Sequence, residues 1–162
     1  MFSVGAADLR IWIVMDTIIS NSATDTESHG FHYAEDLKSG AVIGLSGDLG
    51  AGKTCWVRGL ARNLGVVSRV YSPTFALLHE YEGGRVPLFH LDLYRLESVD
   101  EIYGAGLEQY LLNPAGITVV EWIERWVDFP PISLSDYRKI YIEILDEFKR
   151  KIVINDRKNN RF

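Results

Sequence analysis

Eight consecutive residues carry the clearest chemical signal in this 162-residue chain. Residues 47–54 read GDLGAGKT and match the phosphate-binding pattern G-x-x-x-x-G-K-[ST] at every fixed position. The glycines let successive backbone N–H groups face phosphate oxygens, and the Lys53 ammonium reaches the β and γ phosphates. The Thr54 hydroxyl is a ligand for Mg²⁺. The motif therefore predicts a nucleotide site built from Asp48, Leu49, Gly50, Ala51, Gly52, Lys53, Thr54 and Cys55.

A phosphate-binding loop needs a further acid to hold the metal, normally at the end of a neighbouring buried strand. Glu121 fits this requirement because it follows the apolar run 117–120. Asp92 is a second candidate, and it shares one strand face with His90 if the segment FHLDLYR is extended. A His-x-Asp transition-metal site offers only two ligands here and is disfavoured. We therefore interpret Asp92 as a partner of Mg²⁺ or of the attacking water.

Two further residues near the loop have a chemical and a plain interpretation. Thr74 lies in the segment SPTF, where many nucleotide hydrolases carry a threonine that senses the γ-phosphate and Mg²⁺. An ordinary turn is the alternative for that segment. Cys55 follows Thr54 at the start of a predicted helix, a position that lowers the pKa of a thiol. We interpret Cys55 as a small packing residue rather than a redox switch.

The elements that must position these groups follow an α/β pattern. Residues 24–27, TDTE, predict a capping box with Thr24 as the cap of a helix that ends at 38–40. Residues 41–45 predict a strand buried on both faces, and the helical period over 57–64 predicts a helix that stops at Gly65. Strand, loop and helix is the order that a phosphate-binding loop requires.

Further along, the pattern predicts strands over 76–81 and 86–94 joined by a Gly-Gly turn, a helix around 98–112, a strand over 117–121 and a closing hairpin over 139–145 and 151–154. The predicted fold class is α/β. We expect a single P-loop NTPase-like domain with a central, mostly parallel sheet that is flanked by helices and carries antiparallel hairpins. The domain is expected to span residues 15–162. Residues 1–14 are interpreted as an N-terminal extension.

Composition limits the function classes. A hydrophobic content of 47% supports one packed core, and the net charge of −5 argues against a chain that binds nucleic acid through its overall charge. Residues 149–162 hold six basic side chains and one acid, which predicts an interaction tail or a solvated C-terminus. The single cysteine indicates a reducing, cytoplasmic location, and no apolar run approaches the ~20 residues that a membrane span needs.

Taken together, the motifs resemble the bacterial TsaE family, formerly YjeE. The likeness rests on GDLGAGKT at 47–54, RGL at 58–60, SPTF at 72–75, HLDLYRL at 90–96 and VEW at 120–122, in order and spacing. It runs from about Thr24 to Trp126 and weakens in the C-terminal hairpin. One departure is Leu91, where relatives commonly have phenylalanine.

The resemblance implies a P-loop ATPase with ATP and Mg²⁺ as cofactors, required for making threonylcarbamoyladenosine in tRNA. It implies that the chain acts with the transferase TsaD and its paralogue TsaB and hydrolyses ATP weakly alone. It further implies that Lys53 and Thr54 bind phosphate and Mg²⁺, that Glu121 completes the metal site and that Asp92 is required for hydrolysis. By the same resemblance Thr74 belongs to a switch-like loop, Trp122 lies near the site and Thr26 lies near the adenine.

Three alternatives stay open from the sequence. A small-molecule kinase would use the same loop, but the chain has no long basic lid insertion. A GTPase is disfavoured because no Asn-Lys-x-Asp motif occurs. A nucleotide-dependent docking subunit, in which hydrolysis is incidental, is compatible with every motif. Direct tRNA contact by the basic C-terminus is a weaker hypothesis, and Arg58, Arg95 and Arg125 are the candidates for an arginine finger.

Overall fold

The computed structural model describes residues 13–126 and 136–157, with side chains described for 16–126 and 136–155. Strands and helices alternate over residues 13–64, and consecutive strands follow at 78–92 and 137–157. In chain order the elements are β1 Ile13–Ser20, α1 Ala23–Tyr33, β2 Val42–Ser46, α2 Lys53–Leu64, β3 Leu78–Tyr81, β4 Leu88–Asp92, α3 Val99–Gly104, α4 Glu108–Leu112, β5 Ile117–Glu121, a 3₁₀ turn Ile123–Arg125, β6 Tyr137–Ile144 and β7 Arg150–Arg157.

One seven-stranded sheet organises the domain, in the order β1-β7-β6-β2-β5-β4-β3. Strands β6, β2, β5 and β4 are parallel neighbours, whereas β7, β1 and β3 add to the two sides in antiparallel pairs. Strands β2 and β5 are buried at every position, as expected for strands covered on both faces. The predicted fold class, a mostly parallel sheet with antiparallel hairpins, is confirmed.

The register of the central strands brings the predicted site together. Glu121, the last residue of β5, pairs with Leu45 of β2 on one side and with Asp92 of β4 on the other. Because parallel strands end at the same edge of a sheet, the loop that follows Ser46 and both acids lie at one edge. Among the described residues, no helix is long and apolar enough to cross a membrane.

Helix α2 packs closely against α1 through two glycines. A Cβ on Gly59 would lie 1.8 Å from the Glu27 carbonyl oxygen, and one on Gly30 would lie 2.1 Å from the Trp56 carbonyl oxygen. No side chain fits at either position, so the two backbones meet directly. This contact fixes the helix whose first turn carries Lys53.

The start of α1 differs from the prediction. Ser22, not Thr24, caps the helix, and its Oγ accepts a hydrogen bond from the Asp25 N–H at 3.1 Å. Asp25 Oδ2 accepts from the N–H of Asn21, the residue before the cap, at 3.0 Å, so Ser22 and Asp25 together close the start of the helix two residues before the predicted cap. The helix also ends at Tyr33, before the predicted end at 38–40, and it buries Thr26 and Gly30. Close helix packing at the small residues decides which face turns inward.

Other boundaries shift for local reasons. The predicted helix around 98–112 divides into α3 and α4, because Gly106 has a φ of +70° and interrupts the helix. Strand β3 starts at Leu78 instead of 76, because Leu77 has a φ of +66°. The predicted turn at Gly83-Gly84 does join β3 and β4, and the closing hairpin is present and longer than predicted.

The structure places strands near both ends of the described chain, where the sequence predicted an extension and a basic tail. Strand β1, which the sequence pattern did not predict, starts at Ile13, inside the predicted extension 1–14, and pairs with β7. Residues 1–12 lie outside the described residues. At the other end, β7 takes in Arg150, Lys151 and Arg157, so the basic segment is part of the sheet up to Arg157 rather than a free tail. Residues 158–162 lie outside the described residues.

Candidate functional site

The phosphate-binding loop joins β2 directly to α2. Gly47 has a φ of +142°, and a Cβ there would lie 2.3 Å from the Ile142 carbonyl oxygen. Gly52 precedes the first helical residue with a φ of +105°, and no side chain caps the helix. The first N–H groups of α2 are therefore left for an external anion, which the positive end of the helix dipole also attracts.

Lys53 is folded back onto its own loop. Its Nζ donates to the Gly47 carbonyl oxygen at 2.6 Å and to the Asp48 carbonyl oxygen at 2.9 Å. The ammonium also lies 4.0 Å from the centre of the Trp122 ring, and the side chain is 4% exposed. Burial lowers the pKa of Lys53, and the nearby charges of Glu121 and other acids oppose that shift. The loop thus holds a desolvated cation at its centre.

Glu121 connects the helix to the sheet. Its Oε1 accepts a hydrogen bond from Thr54 Oγ1 at 2.7 Å and lies 2.8 Å from His90 Nε2. Both His90 and Glu121 are buried, so the imidazole in its Nε2–H tautomer donates to the carboxylate. His90 Nδ1 has no hydrogen-bond partner in the described part of the chain. The carboxylate is oriented from two sides and keeps other lone pairs for a cation.

Asp92 is held by three donors from two loops. Its Oδ2 accepts from Thr74 Oγ1 at 2.7 Å and from Ser72 Oγ at 3.0 Å, while Oδ1 accepts from the Tyr94 N–H at 2.9 Å. The side chain is 1% exposed. Thr74 is therefore attached to the acid that ends β4, in the loop that precedes β3.

Two non-glycine residues of the described chain have backbone angles in the left-handed region, and both border these acids. Trp122, at φ +60°, follows Glu121 directly. Leu77, at φ +66°, accepts a hydrogen bond at its carbonyl from the Asp92 N–H at 3.0 Å. Such conformations cost about 1–3 kcal/mol each and cluster at functional sites.

These groups surround a cavity of about 430 Å³. Three potential oxygen ligands reach it, from Thr54, Asp92 and Glu121, and this donor set fits Mg²⁺. No group of three or more His, Cys, Asp or Glu side chains in the described residues is arranged to chelate a metal, and His90 is engaged by Glu121. The cavity is lined by Leu49, Gly50, Ala51, Gly52, Lys53, Thr54, Cys55, Arg58, Ser72, Thr74, Asp92, Glu121 and Trp122.

A second cavity of about 240 Å³ adjoins the first on the other side of the loop. Thr26 lines it, and the Thr26 hydroxyl lies 2.7 Å from Ser20 Oγ. Cys55 borders both cavities and donates to the Ala23 carbonyl oxygen at 3.2 Å. Burial raises the pKa of the Cys55 thiol, which is opposite to the shift that a redox switch needs. Asp48 is exposed beside the cavities and lines neither.

Sequence reasoning missed several contacts at this site. It did not anticipate that His90 pairs with Glu121, although a shared strand face with Asp92 pointed in that direction. It predicted the closing hairpin but missed that Glu147, Phe148 and Arg150 of this hairpin complete the second cavity. No local pattern signals this contact, because the hairpin lies about 100 residues from the loop that it meets.

Of the three arginine-finger candidates, Arg58 alone lines the larger cavity. Its Nε donates to the Val70 carbonyl oxygen at 3.3 Å. Arg95 lies over the Phe75 ring at 5.1 Å and Arg125 over the Tyr94 ring at 5.6 Å. Arg95 and Arg125 therefore line neither cavity, and of the three candidates only Arg58 is placed at the loop.

Comparison with known proteins identifies the family of this chain. The model of the family described as threonylcarbamoyl adenosine biosynthesis protein TsaE matches residues 20–152. The chain belongs to the TsaE family. The match includes every residue that lines the two cavities.

Individual TsaE proteins agree with this assignment. The tRNA threonylcarbamoyladenosine biosynthesis protein TsaE of Nostoc is 41% identical over 146 residues, covering 86% of this chain and 85% of that protein. The protein of the same name from Aquifex aeolicus is 41% identical over 143 residues, covering 87% and 96%. The crystal structure of YdiB from Bacillus subtilis superposes with a TM-score of 0.71 at 27% identity, covering 91% of this chain and 89% of that one.

Proposed function

We propose that this chain binds Mg·ATP at residues 47–54 and hydrolyses it in support of the threonylcarbamoyladenosine modification of tRNA. The observation that carries the proposal is the meeting of Thr54, Glu121 and Asp92 beside the phosphate-binding loop. A loop alone accounts for nucleotide binding, and the two acids add the groups that hydrolysis needs. Membership of the TsaE family supports a role in tRNA modification, because the family and its relatives are named for the biosynthesis of threonylcarbamoyladenosine.

Lys53 is the proposed phosphate clamp. In the free protein its ammonium is satisfied by the carbonyls of Gly47 and Asp48. Phosphate oxygens are charged acceptors and form stronger hydrogen bonds than neutral carbonyls do. Lys53 therefore turns from its own loop to the β and γ phosphates when a nucleotide binds, and it stabilises the charge that develops on them during hydrolysis.

Thr54 and Glu121 are the proposed Mg²⁺ ligands, with Asp92 as a third oxygen donor at the same edge of the sheet. Bound Mg²⁺ neutralises phosphate charge during transfer. The hydroxyl of Thr54 gives up its hydrogen bond to Glu121 when it takes this role. His90 keeps the Glu121 carboxylate in place during that exchange, since its own contact lies behind the carboxylate in the core.

Asp92 and Thr74 are the proposed hydrolytic pair. Asp92 accepts a hydrogen bond from the attacking water and takes its proton as the water attacks the γ-phosphorus. The water replaces one of the two hydroxyl donors now bonded to Oδ2. The Thr74 hydroxyl released by that exchange is free to contact the γ-phosphate. The Thr74 loop thereby links the state of the nucleotide to the acid at the end of β4.

Hydrolysis by the isolated chain is expected to be slow. Arg58 is the one candidate arginine at the larger cavity, and it is bonded to a backbone carbonyl. An arginine finger contributes about 10³–10⁵ in rate where it is present. We propose that TsaD and TsaB, which the family resemblance implies as cytoplasmic partners, complete the site or reorient Arg58.

A second candidate function is a nucleotide-dependent docking subunit whose hydrolysis is incidental. One observation favours it: Asp92 already accepts three hydrogen bonds from its own chain, an arrangement that also suits a purely structural acid. The two functions differ in their dependence on Asp92. Only an ATPase that drives the pathway loses tRNA modification when binding is intact and hydrolysis is removed.

The discriminating experiment is tRNA modification reconstituted from purified TsaD, TsaB and this chain. We expect wild type to support modification, Lys53→Ala to abolish it, and Asp92→Asn to abolish it while still binding ATP and both partners. Modification at the wild-type rate by Asp92→Asn would favour the docking subunit. Normal modification without this chain would contradict both functions.

A further inference from the structure

We infer that Arg150 is a positioning residue for the phosphate-binding loop, acting from behind the loop through two backbone carbonyls. Arg150 Nε donates to the Ala51 carbonyl oxygen at 3.0 Å, and Nη2 donates to the Gly50 carbonyl oxygen at 3.2 Å. The guanidinium thus bridges the turn of the β6–β7 hairpin and the middle of the loop. The inference rests on the proposed function, because it assigns a role in nucleotide binding.

The hairpin turn holds the guanidinium in place. Arg150 Nη1 donates to the Asp146 carbonyl oxygen at 2.8 Å and to the Lys149 carbonyl oxygen at 2.9 Å. The turn itself is closed by Asp146 Oδ1, which accepts from the N–H groups of Phe148 at 2.8 Å and Lys149 at 2.7 Å. These two bonds lower the pKa of Asp146. The arginine therefore meets the loop as an ordered group, not as a free surface side chain.

Because a peptide unit is planar, fixing the Gly50 and Ala51 carbonyls also fixes the direction of the N–H groups in the same peptide units. The carbonyl of Gly50 shares a peptide plane with the N–H of Ala51, and the carbonyl of Ala51 shares one with the N–H of Gly52. In a trans peptide the two groups point in opposite directions. By fixing both carbonyls toward the hairpin, Arg150 directs both N–H groups away from it. The Ala51 N–H donates to the Asp48 carbonyl oxygen at 3.0 Å, so the Gly52 N–H is the amide that this contact orients for a phosphate.

The loop needs such an external restraint. Gly50 has a φ of +78° and Gly52 a φ of +105°, and glycine pays the largest entropic cost when one conformation is fixed. Arginine suits the task, because its planar fork donates to two carbonyls at once, whereas a lysine ammonium acts as a point donor. The hydrogen bonds that Arg150 donates within the described residues all go to backbone carbonyls.

The fold supplies a matched control. Arg85 makes the same kind of two-carbonyl contact at the end of α1, where Nη1 donates to the Leu37 carbonyl oxygen and Nη2 to the Ala34 carbonyl oxygen, both at 2.7 Å. Arg85 lines neither cavity. Replacing each arginine by glutamine removes one charge and one backbone clamp, but only Arg150 touches the loop.

The test compares wild type, Arg150→Gln, Arg150→Lys and Arg85→Gln in two assays at a temperature where each variant is folded. The first assay measures the ATP dissociation constant and kcat in the presence of Mg²⁺. The second measures the rate at which a thiol reagent labels Cys55, the single cysteine, in nucleotide-free protein. Cys55 follows the loop and is half-buried, so its labelling reports loop order without any nucleotide.

We expect Arg150→Gln to weaken ATP binding about tenfold, the equivalent of one to two net hydrogen bonds, with kcat within twofold of wild type. Its Cys55 should be labelled about fivefold faster, because the loop opens more often. Arg150→Lys should fall between wild type and Arg150→Gln, and Arg85→Gln should match wild type in both assays.

Four results would overturn the inference. They are wild-type behaviour of Arg150→Gln in either assay, full function of Arg150→Lys, equal effects of Arg85→Gln and Arg150→Gln, and a fall in kcat without a change in ATP affinity. Failure of the proposed function looks different. If wild type does not bind ATP, the ATPase proposal fails, whereas the labelling rates still decide whether Arg150 orders the loop.

Discussion

The two walls of the site differ in how they are built. The acidic wall consists of Asp92 and Glu121, which are 1% and 3% exposed and end adjacent parallel strands. The opposite wall is the β6–β7 turn, where Phe148 is 66% exposed and Arg150 reaches the loop through hydrogen bonds to carbonyls. The first wall is set by sheet register and burial, the second by a turn. We therefore expect changes in the acidic wall to affect hydrolysis and changes in the turn to affect nucleotide affinity.

Removing a charge from the acidic wall should have the largest effect. Glu121→Gln keeps the shape but loses the carboxylate that faces Thr54 and the proposed metal. We expect kcat for ATP to fall about 10²–10³-fold, the scale seen when an electrostatic group of an active site is lost. Steady-state hydrolysis across a Mg²⁺ titration measures it. Glu124→Gln, a change at an exposed neighbouring acid, should stay within a few-fold of wild type; an equal loss there would erase the distinction between buried and exposed acids.

The helix α2 carries Lys53 and Thr54 and lines both cavities. Disturbing its packing should therefore lower the stability of the whole domain instead of affecting one wall. A Cβ on Gly59 meets the Glu27 carbonyl oxygen, and we expect Gly59→Ala to lower the free energy of unfolding by about 1–3 kcal/mol or more. Denaturant titration measures it. Gly104→Ala is the matched control, because a Cβ on Gly104 meets nothing within 4 Å. Equal stability of the two variants would contradict the direct backbone contact.

Replacing His90, which lies behind the acidic wall, should have an intermediate effect. His90→Ala leaves the Glu121 carboxylate without its buried donor, so we expect Mg²⁺ affinity to fall about 10–100-fold, as for other groups that orient metal ligands. His90→Gln, which retains an N–H donor, should recover part of the loss. Mg²⁺ titration of ATP hydrolysis provides the measurement. Unchanged Mg²⁺ dependence in His90→Ala would mean that Glu121 needs no support from the core.

The smallest effect concerns pH. Burial lowers the pKa of Lys53 below its ordinary value of 10.5, and only the protonated ammonium attracts phosphate. ATP affinity should therefore be complete below the lowered pKa and fall as pH rises through it, starting before an exposed lysine would deprotonate. Titration of ATP binding from neutral to alkaline pH tests this. Lys53→Met should bind weakly, with no comparable fall; a parallel fall would assign the titration to another group.

The two walls also differ in how far the sequence could predict them. The loop, Glu121 at its strand end and the strand face shared by His90 and Asp92 depend on local patterns, and the sequence predicted them. Arg150 lies 99 residues from Ala51, so only the order of strands in the sheet brings them together. The cap at Ser22 was misplaced for a related reason. Several residues there can cap a helix, and packing of Gly30 against α2 selects among them.

The most direct test of the central claim compares wild type, Lys53→Ala and Asp92→Asn for Mg·ATP binding and phosphate release in the presence of TsaD and TsaB. We predict that wild type binds and hydrolyses ATP, that Lys53→Ala loses both, and that Asp92→Asn still binds ATP but loses hydrolysis at least about 100-fold. Lys53→Ala turning over ATP as fast as wild type would contradict the account.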